Sequence, residues 1–133
     1  MKMKLYYSPS GNAPPDLASF LDSLEPKLRQ KLLRQFYMLM TQPLPREPTV
    51  KHFSIEKYRE LYKLRARSKI MVRIIFTIQG DDRILFLTPF VKKDKRDTMR
   101  ALEASLKLLT QIETGMCSIE EIPIKQLLGG FAE

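Results

Sequence analysis

The 133 residues contain one cysteine, one histidine and no tryptophan. A lone thiol, Cys117, closes no disulfide within the chain. It points to a reducing setting and hence to a cytoplasmic location. Neither Cys117 nor His52 has companions at metal-ligand spacing, so no metal site and no cofactor is expected. His52 reads as an exposed or internally satisfied histidine. No apolar run approaches the ~20 residues of a membrane span. The opening MKMKLYYSPS has no apolar core of a signal peptide, so no membrane role is expected. GxSxG, the P-loop, GxGxxG and HExxH are all missing, which removes the commonest catalytic frameworks. Repeats and low-complexity tracts are missing too.

Acids are in the minority. Lys and Arg number 23 against 15 Asp and Glu, giving a formal charge of +8 and a pI near 9.7. A polyanionic partner fits that balance, and so does an acidic protein that masks it. The hydrophobic share of 44% is that of a globular chain. The length suits a single domain over residues 1–133, with residues 114–133 as a C-terminal tail.

Residues 3–7 read as a short strand, ended by the turn chemistry of Ser8-Pro9-Ser10-Gly11-Asn12. Pro14-Pro15-Asp16 reads as a helix start. Leu17, Phe20, Leu21 and Leu24 then fall on one helical stripe. Pro26 opens a second helix with Leu28, Leu32, Phe36 and Leu39 or Met40 on its apolar face. Lys27, Arg29, Lys31 and Arg34 lie mostly off that face, as its solvated side. The pair forms a helical hairpin. Three prolines within residues 41–49 make the next stretch a connector.

Alternation of period two follows. Residues 50–55 are extended. In Leu61–Arg67, Leu61, Lys63, Arg65 and Arg67 point one way, and Tyr62, Leu64 and Ala66 the other. Over residues 69–79, Ile70, Val72, Ile74, Phe76 and Ile78 make an apolar face, while Arg73, Ile75 and Thr77 face away. Gln79-Gly80-Asp81-Asp82 is a hairpin turn into Arg83–Val91, where Pro89 marks an edge or a bulge. Lys92-Lys93-Asp94-Lys95-Arg96 reads as a basic loop, with Asp97 or Thr98 capping the helix after it. That helix shows Leu102, Ser105, Leu106, Leu109 and Ile112 along one stripe, and ends near Gly115. The apolar tail is expected to pack on the sheet or serve as an arm for a partner. Its acids offer a way to fold back on the basic face. The order is β-αα-β-β-β-α plus a tail. It describes an α+β domain, a small antiparallel sheet with an N-terminal helical hairpin and a C-terminal helix, the helices gathered on one face.

The chemistry available is cationic. If the strands pair in sequence, Lys63, Arg65, Arg73 and the loop lysines converge on one open face. Arg offers phosphate a planar fork and Lys a point charge. RNA carries its own nucleophile, the 2′-hydroxyl, so a protein need only position the chain, accept a proton and offset charge on phosphorus. A lysine crowded by arginines has its pKa lowered and can accept that proton. The plainer interpretation is a half-exposed sheet with ordinary outward charges.

Several short pieces also carry a resemblance. Lys51-His52-Phe53 precedes the sheet, followed by Leu61-Tyr62-Lys63-Leu64-Arg65, then Val72-Arg73-Ile74-Ile75-Phe76, then Phe90-Val91-Lys92-Lys93, and a helix with Ala101 and Ala104. In this order and spacing, over residues 17–112, the chain resembles type II toxins of the RelE/ParE superfamily, nearest the HigB-like branch. The resemblance implies a RelE-like α+β fold and a metal-independent endoribonuclease that cuts mRNA on the ribosome and is neutralised by a cognate antitoxin protein. It implies Lys63, Arg65 and Arg73 as catalytic residues, with Lys63 as proton acceptor and Arg73 on the phosphate. Arg67, Lys69, Lys92, Lys93, Lys95 and Arg96 would bind RNA. The chain departs from the pattern in having Lys63 where many HigB-like members have Glu, and Thr88 or Pro89 where they have His. It also lacks a Tyr or His acid on the terminal helix, which leaves the general acid unassigned between guesses such as Tyr62 and His52. Two alternatives stay open: a ParE-like toxin that binds DNA gyrase without cutting RNA, and an inactive relative that binds nucleic acid by charge alone.

Overall fold

A computed structural model describes residues 3–9, 16–45, 47 and 49–128. The elements in order are β1 (Lys4–Tyr7), α1 (Leu17–Asp22), α2 (Pro26–Thr41), β2 (Val50–His52), a 3-10 turn (Glu56–Tyr58), β3 (Leu61–Arg67), β4 (Met71–Gln79), β5 (Arg83–Val91), α3 (Lys95–Glu113), β6 (Glu120–Glu121) and α4 (Ile124–Leu128). This is the α+β architecture expected, with the helical hairpin first and the long helix after the sheet. Pro14, Pro15, Pro48 and the turn at Ser10-Gly11-Asn12 lie outside the described residues.

The sheet runs β2-β3-β4-β5-β1-β6. Its ladders are antiparallel except one: β1 lies parallel to β5, from Lys4 opposite Arg83 to Tyr7 opposite Phe86. The helical hairpin carries the chain from β1 to the far edge of the sheet, where β2 begins. Three antiparallel reversals then bring β5 back beside β1, pointing the same way. Alternation in a single strand carries no information about that direction, so the pairing was not legible in the sequence.

Helices cover both faces, which corrects the one-sided arrangement expected. On one face α1, α2 and α4 pack over Leu5, Val72, Ile74, Phe76, Ile84 and Phe86. There Phe36 of α2 stacks on Phe86 with ring centroids 4.4 Å apart. On the other face α3 sets Ala101, Leu102 and Leu109 against Leu61, Ile75, Leu85 and Leu87. Ile75 and Thr77, expected to face outward, are therefore buried, whereas Ile70 sits in the turn before β4 and is exposed. Each large apolar side chain so buried is worth about 1.5–3 kcal/mol.

Pro89 signals a bulge. Thr88 pairs with Ile75 but Phe86 pairs with Phe76, so Leu87 is the extra residue. β5 lies between β4 and β1, so it is no edge. Before the bulge, Leu85 and Leu87 face α3; after it Thr88 does, where its hydroxyl accepts a 2.7 Å hydrogen bond from Ser105 Oγ.

Local chemistry fixes the helix ends. Asp16 caps α1 by accepting from the Ser19 amide at 2.9 Å. Asp94, not Asp97 or Thr98, caps α3, and Asp97 completes a capping box. Lys95 and Arg96 consequently belong to the first turn of α3 rather than to a loop. Gly115, at φ 83°, closes the helix as only glycine does without strain. The tail adds β6 to the outer side of β1 and buries Ile124 and Leu128 with α2. It thus lies at the opposite end of the sheet order from β3, and its described acids do not fold over the basic strands. Among the described residues no helix is long and apolar enough to cross a membrane.

Candidate functional site

The odd-numbered residues of β3 project toward the α3 side of the sheet, and β2 and β4 bring further cations to it. Lys51 stands opposite Lys63, and Arg65 opposite Arg73. The Lys92 amide donates to the Met71 carbonyl at 2.8 Å, which draws the start of the β5–α3 connection against β4. Two of these cations are deeply covered: Lys63 is 7% exposed and Arg73 8%.

Burial, followed by Arg73, Lys51, Arg65 and Lys92 in turn, lowers the Lys63 pKa to about 8. Its Nζ lies 5.8 Å from the centre of the Phe53 ring, an apolar wall that stabilises the ammonium only weakly. Burial and then the neighbouring Arg65 push Arg73 below the usual arginine range as well. Arg73 Nη1 donates to the Thr98 hydroxyl at 3.2 Å, while its Nε has no hydrogen-bond partner. The Arg65 guanidinium makes a long contact, 3.9 Å, to Met71 Sδ.

An open cleft of about 510 Å³ runs past these groups, lined by Arg65, Arg67, Lys69, Arg73, Lys92 and Lys93 together with Ile70, Met71 and Val91. Six of the nine residues expected to act at the site therefore line one cleft. Lys63 lies beside it, close enough for Arg65, Arg73 and Lys92 to depress its pKa. Lys95 and Arg96 lie outside it; both are exposed on the first turn of α3, and Arg96 reaches back to Asp94 at 3.5 Å.

His52 and Tyr62 are on the other face. Their rings stack at 4.5 Å, Tyr62 continues the stack to Phe76, and His52 Nε2 donates to the Arg59 carbonyl. Neither reaches the cleft. Two residues of the site were missed by sequence reasoning. Lys51 is found only once β2 is paired with β3. Thr98 had a signal: it lies three and four residues before Ala101 and Leu102, so it is a polar residue on the sheet-facing stripe of α3.

Among the described residues the arrangement holds no paired carboxylates and no hydroxyl or thiol nucleophile backed by an imidazole. The fold and site define a small α+β protein that gathers cations on one side of its sheet. Residues 19–110 match the family described as Phage derived protein Gp49-like (DUF891), and the chain belongs to that family. The match runs from α1 into α3 and includes every cation of the site. No curated protein and no solved structure matches the chain.

Proposed function

We propose that this Gp49-like chain is the toxin of a type II toxin–antitoxin pair, RelE/HigB-like in kind, and that it cuts mRNA on the ribosome in the cytoplasm without a metal. One observation carries the reading: Lys63, its pKa lowered to about 8, stands beside Arg65 and Arg73 next to a cleft lined with cations. Neutral Lys63 accepts the proton of an RNA 2′-hydroxyl. The 2′-oxygen attacks phosphorus, the bond to the 5′-oxygen breaks, and a 2′,3′-cyclic phosphate remains. Arg73 and Arg65 offset the charge gathered on the phosphate oxygens. The 5′-oxygen leaves with a proton from water, because no carboxylic acid, imidazole or phenol is among the described cleft residues. The antitoxin is expected to lay an acidic segment over the same cations.

Induced expression followed by primer extension on cellular mRNA tests this reading. New 5′ ends inside reading frames are expected, and Arg73→Ala should abolish both the ends and the growth arrest. Arrest with intact mRNA, or an Arg73→Ala protein as toxic as the parent, overturns it. The missing acid favours a second reading, a ParE-like toxin that binds DNA gyrase without cutting RNA. Inhibition of supercoiling by the purified protein would select it.

A further inference from the structure

The guanidinium of Arg73 is held by one edge. Nη1 donates to the Thr98 hydroxyl of α3 at 3.2 Å. The opposite edge, made by Nε and Nη2, is the one on which arginine takes an oxyanion side-on with two parallel hydrogen bonds. Nε on that edge has no partner and is itself buried, so Arg73 lines the cleft through the rest of its guanidinium. Leaving a buried charged donor unpaired is costly, so the guanidinium is held in this orientation against a penalty. Thr98 stands one turn into α3, which is anchored there by its own capping box and by Asp97 Oδ2 accepting from the Lys93 and Asp94 amides at 2.7 and 2.9 Å. The hydroxyl therefore sits on a fixed element and cannot follow the guanidinium if that swings.

The geometry points to Thr98 as a positioning residue: by occupying Nη1 it fixes the Arg73 plane, so that the guanidinium surface lining the cleft meets one phosphate of the bound RNA. The inference rests on the proposed nuclease reading for its substrate, but the anion site itself does not. Cross-strand repulsion from Arg65 would otherwise drive Arg73 to other rotamers, so a restraint on the guanidinium has work to do. The hydroxyl touches no reacting atom. Its loss should alter how well Arg73 meets the phosphate, not how much RNA the cationic cleft collects.

Two measurements on the full chain test this. In the first, inorganic phosphate is titrated while the Arg73 Nε–H signal is followed in a nitrogen–proton correlation spectrum, assigned by its loss in Arg73→Ala. The signal should move with phosphate in the parent and in Thr98→Ser, and bind at least about fivefold more weakly in Thr98→Val. In the second, cleavage of ribosome-bound mRNA is measured. Thr98→Val should lower kcat by roughly ten- to a hundredfold with KM within about twofold, and Thr98→Ser should restore most of it. A Thr98→Val protein that binds phosphate and cleaves like the parent overturns the inference. So does a Thr98→Ser protein as defective as Thr98→Val, because packing rather than the hydroxyl would then be at stake. If Thr98→Val does not fold, Thr98→Ala replaces it in both measurements. If the parent cleaves no RNA, the nuclease reading falls, and the phosphate titration still decides the role of Thr98.

Discussion

Arg65 and Arg73 are direct cross-strand partners toward the hairpin end of the β3–β4 ladder. Like charges so placed oppose folding, by roughly 0.2–1 kcal/mol for such a pair. A protein keeps such a pair where function needs it and stability is given up for it. Arg65→Gln is expected to raise the denaturation midpoint in urea while reducing RNA cleavage. A midpoint that falls would show that the two arginines do not oppose each other in the folded chain.

Lys63 supplies a pH signature of two kinds. It titrates near pH 8 in the folded chain and near 10.5 when unfolded. Between these values the unfolded chain keeps a proton that the folded chain has shed, so stability rises with pH across that window. Below it both states are charged and the folded state bears the full cost of burying the ammonium. Lys63→Met should accordingly be more resistant to urea than the parent at neutral pH, with the difference shrinking toward pH 10.5. Cleavage has the same origin but another form: the rate should climb to a plateau as Lys63 loses its proton around pH 8. A rate that does not change through that range removes Lys63 as the acceptor.

Much of this arrangement was legible. The i, i+3, i+4 spacing of Leu17, Phe20, Leu21 and Leu24 marked α1, and the alternation from Val72 to Phe76 marked β4, because burial on one side imposes a period that a sequence displays. The second buried face was not. Ile75 and Thr77 read as outward-facing positions until α3 is placed over that side, and no local pattern says which side of a sheet a helix will cover. The site was half legible for the same reason. Lys63, Arg65 and Arg73 share a parity visible in the strands, whereas Lys51 and Thr98 join them only through pairing and packing. Asp94, the actual cap of α3, was passed over because Asp97 and Thr98 are equally good capping residues.

The buried hydroxyl pair behind the site offers a test of the bulge. Ser105 is fully covered and Thr88 nearly so, and each is the other's hydrogen-bond partner. Ser105→Ala strands the Thr88 hydroxyl and should cost about 1–3 kcal/mol in urea denaturation. Adding Thr88→Val should recover a good part of that loss, since no polar atom is then left unpaired. A double variant that is merely the sum of two losses would show that the hydroxyls act independently.

Six cations line the cleft, and their number sets its dependence on salt. For single-stranded RNA the slope of log K against log salt is about −0.7 per phosphate neutralised, hence close to −4 if all six engage. Fluorescence anisotropy with a 2′-O-methyl RNA, which has no nucleophile to react, would measure it. The Lys92→Ala, Lys93→Ala double variant should flatten the slope by about 1.4. An unchanged slope would place the RNA elsewhere on the molecule.

The parallel pairing of β1 with β5 also bears on how the molecule is born. Lys4 and Arg83 are neighbours in the sheet yet about 80 residues apart along the chain, the kind of contact that forms slowly. As the nascent chain is made, β1 comes first but has no partner until β5 follows. The strands carrying the cations can associate as local hairpins well before then. Yet their sheet lacks its β1 side, and the core of α1 and α2 lacks Leu5, until β1 docks. Synthesis interrupted before Arg83 should leave a chain that protease digests readily, so a half-made copy is cleared.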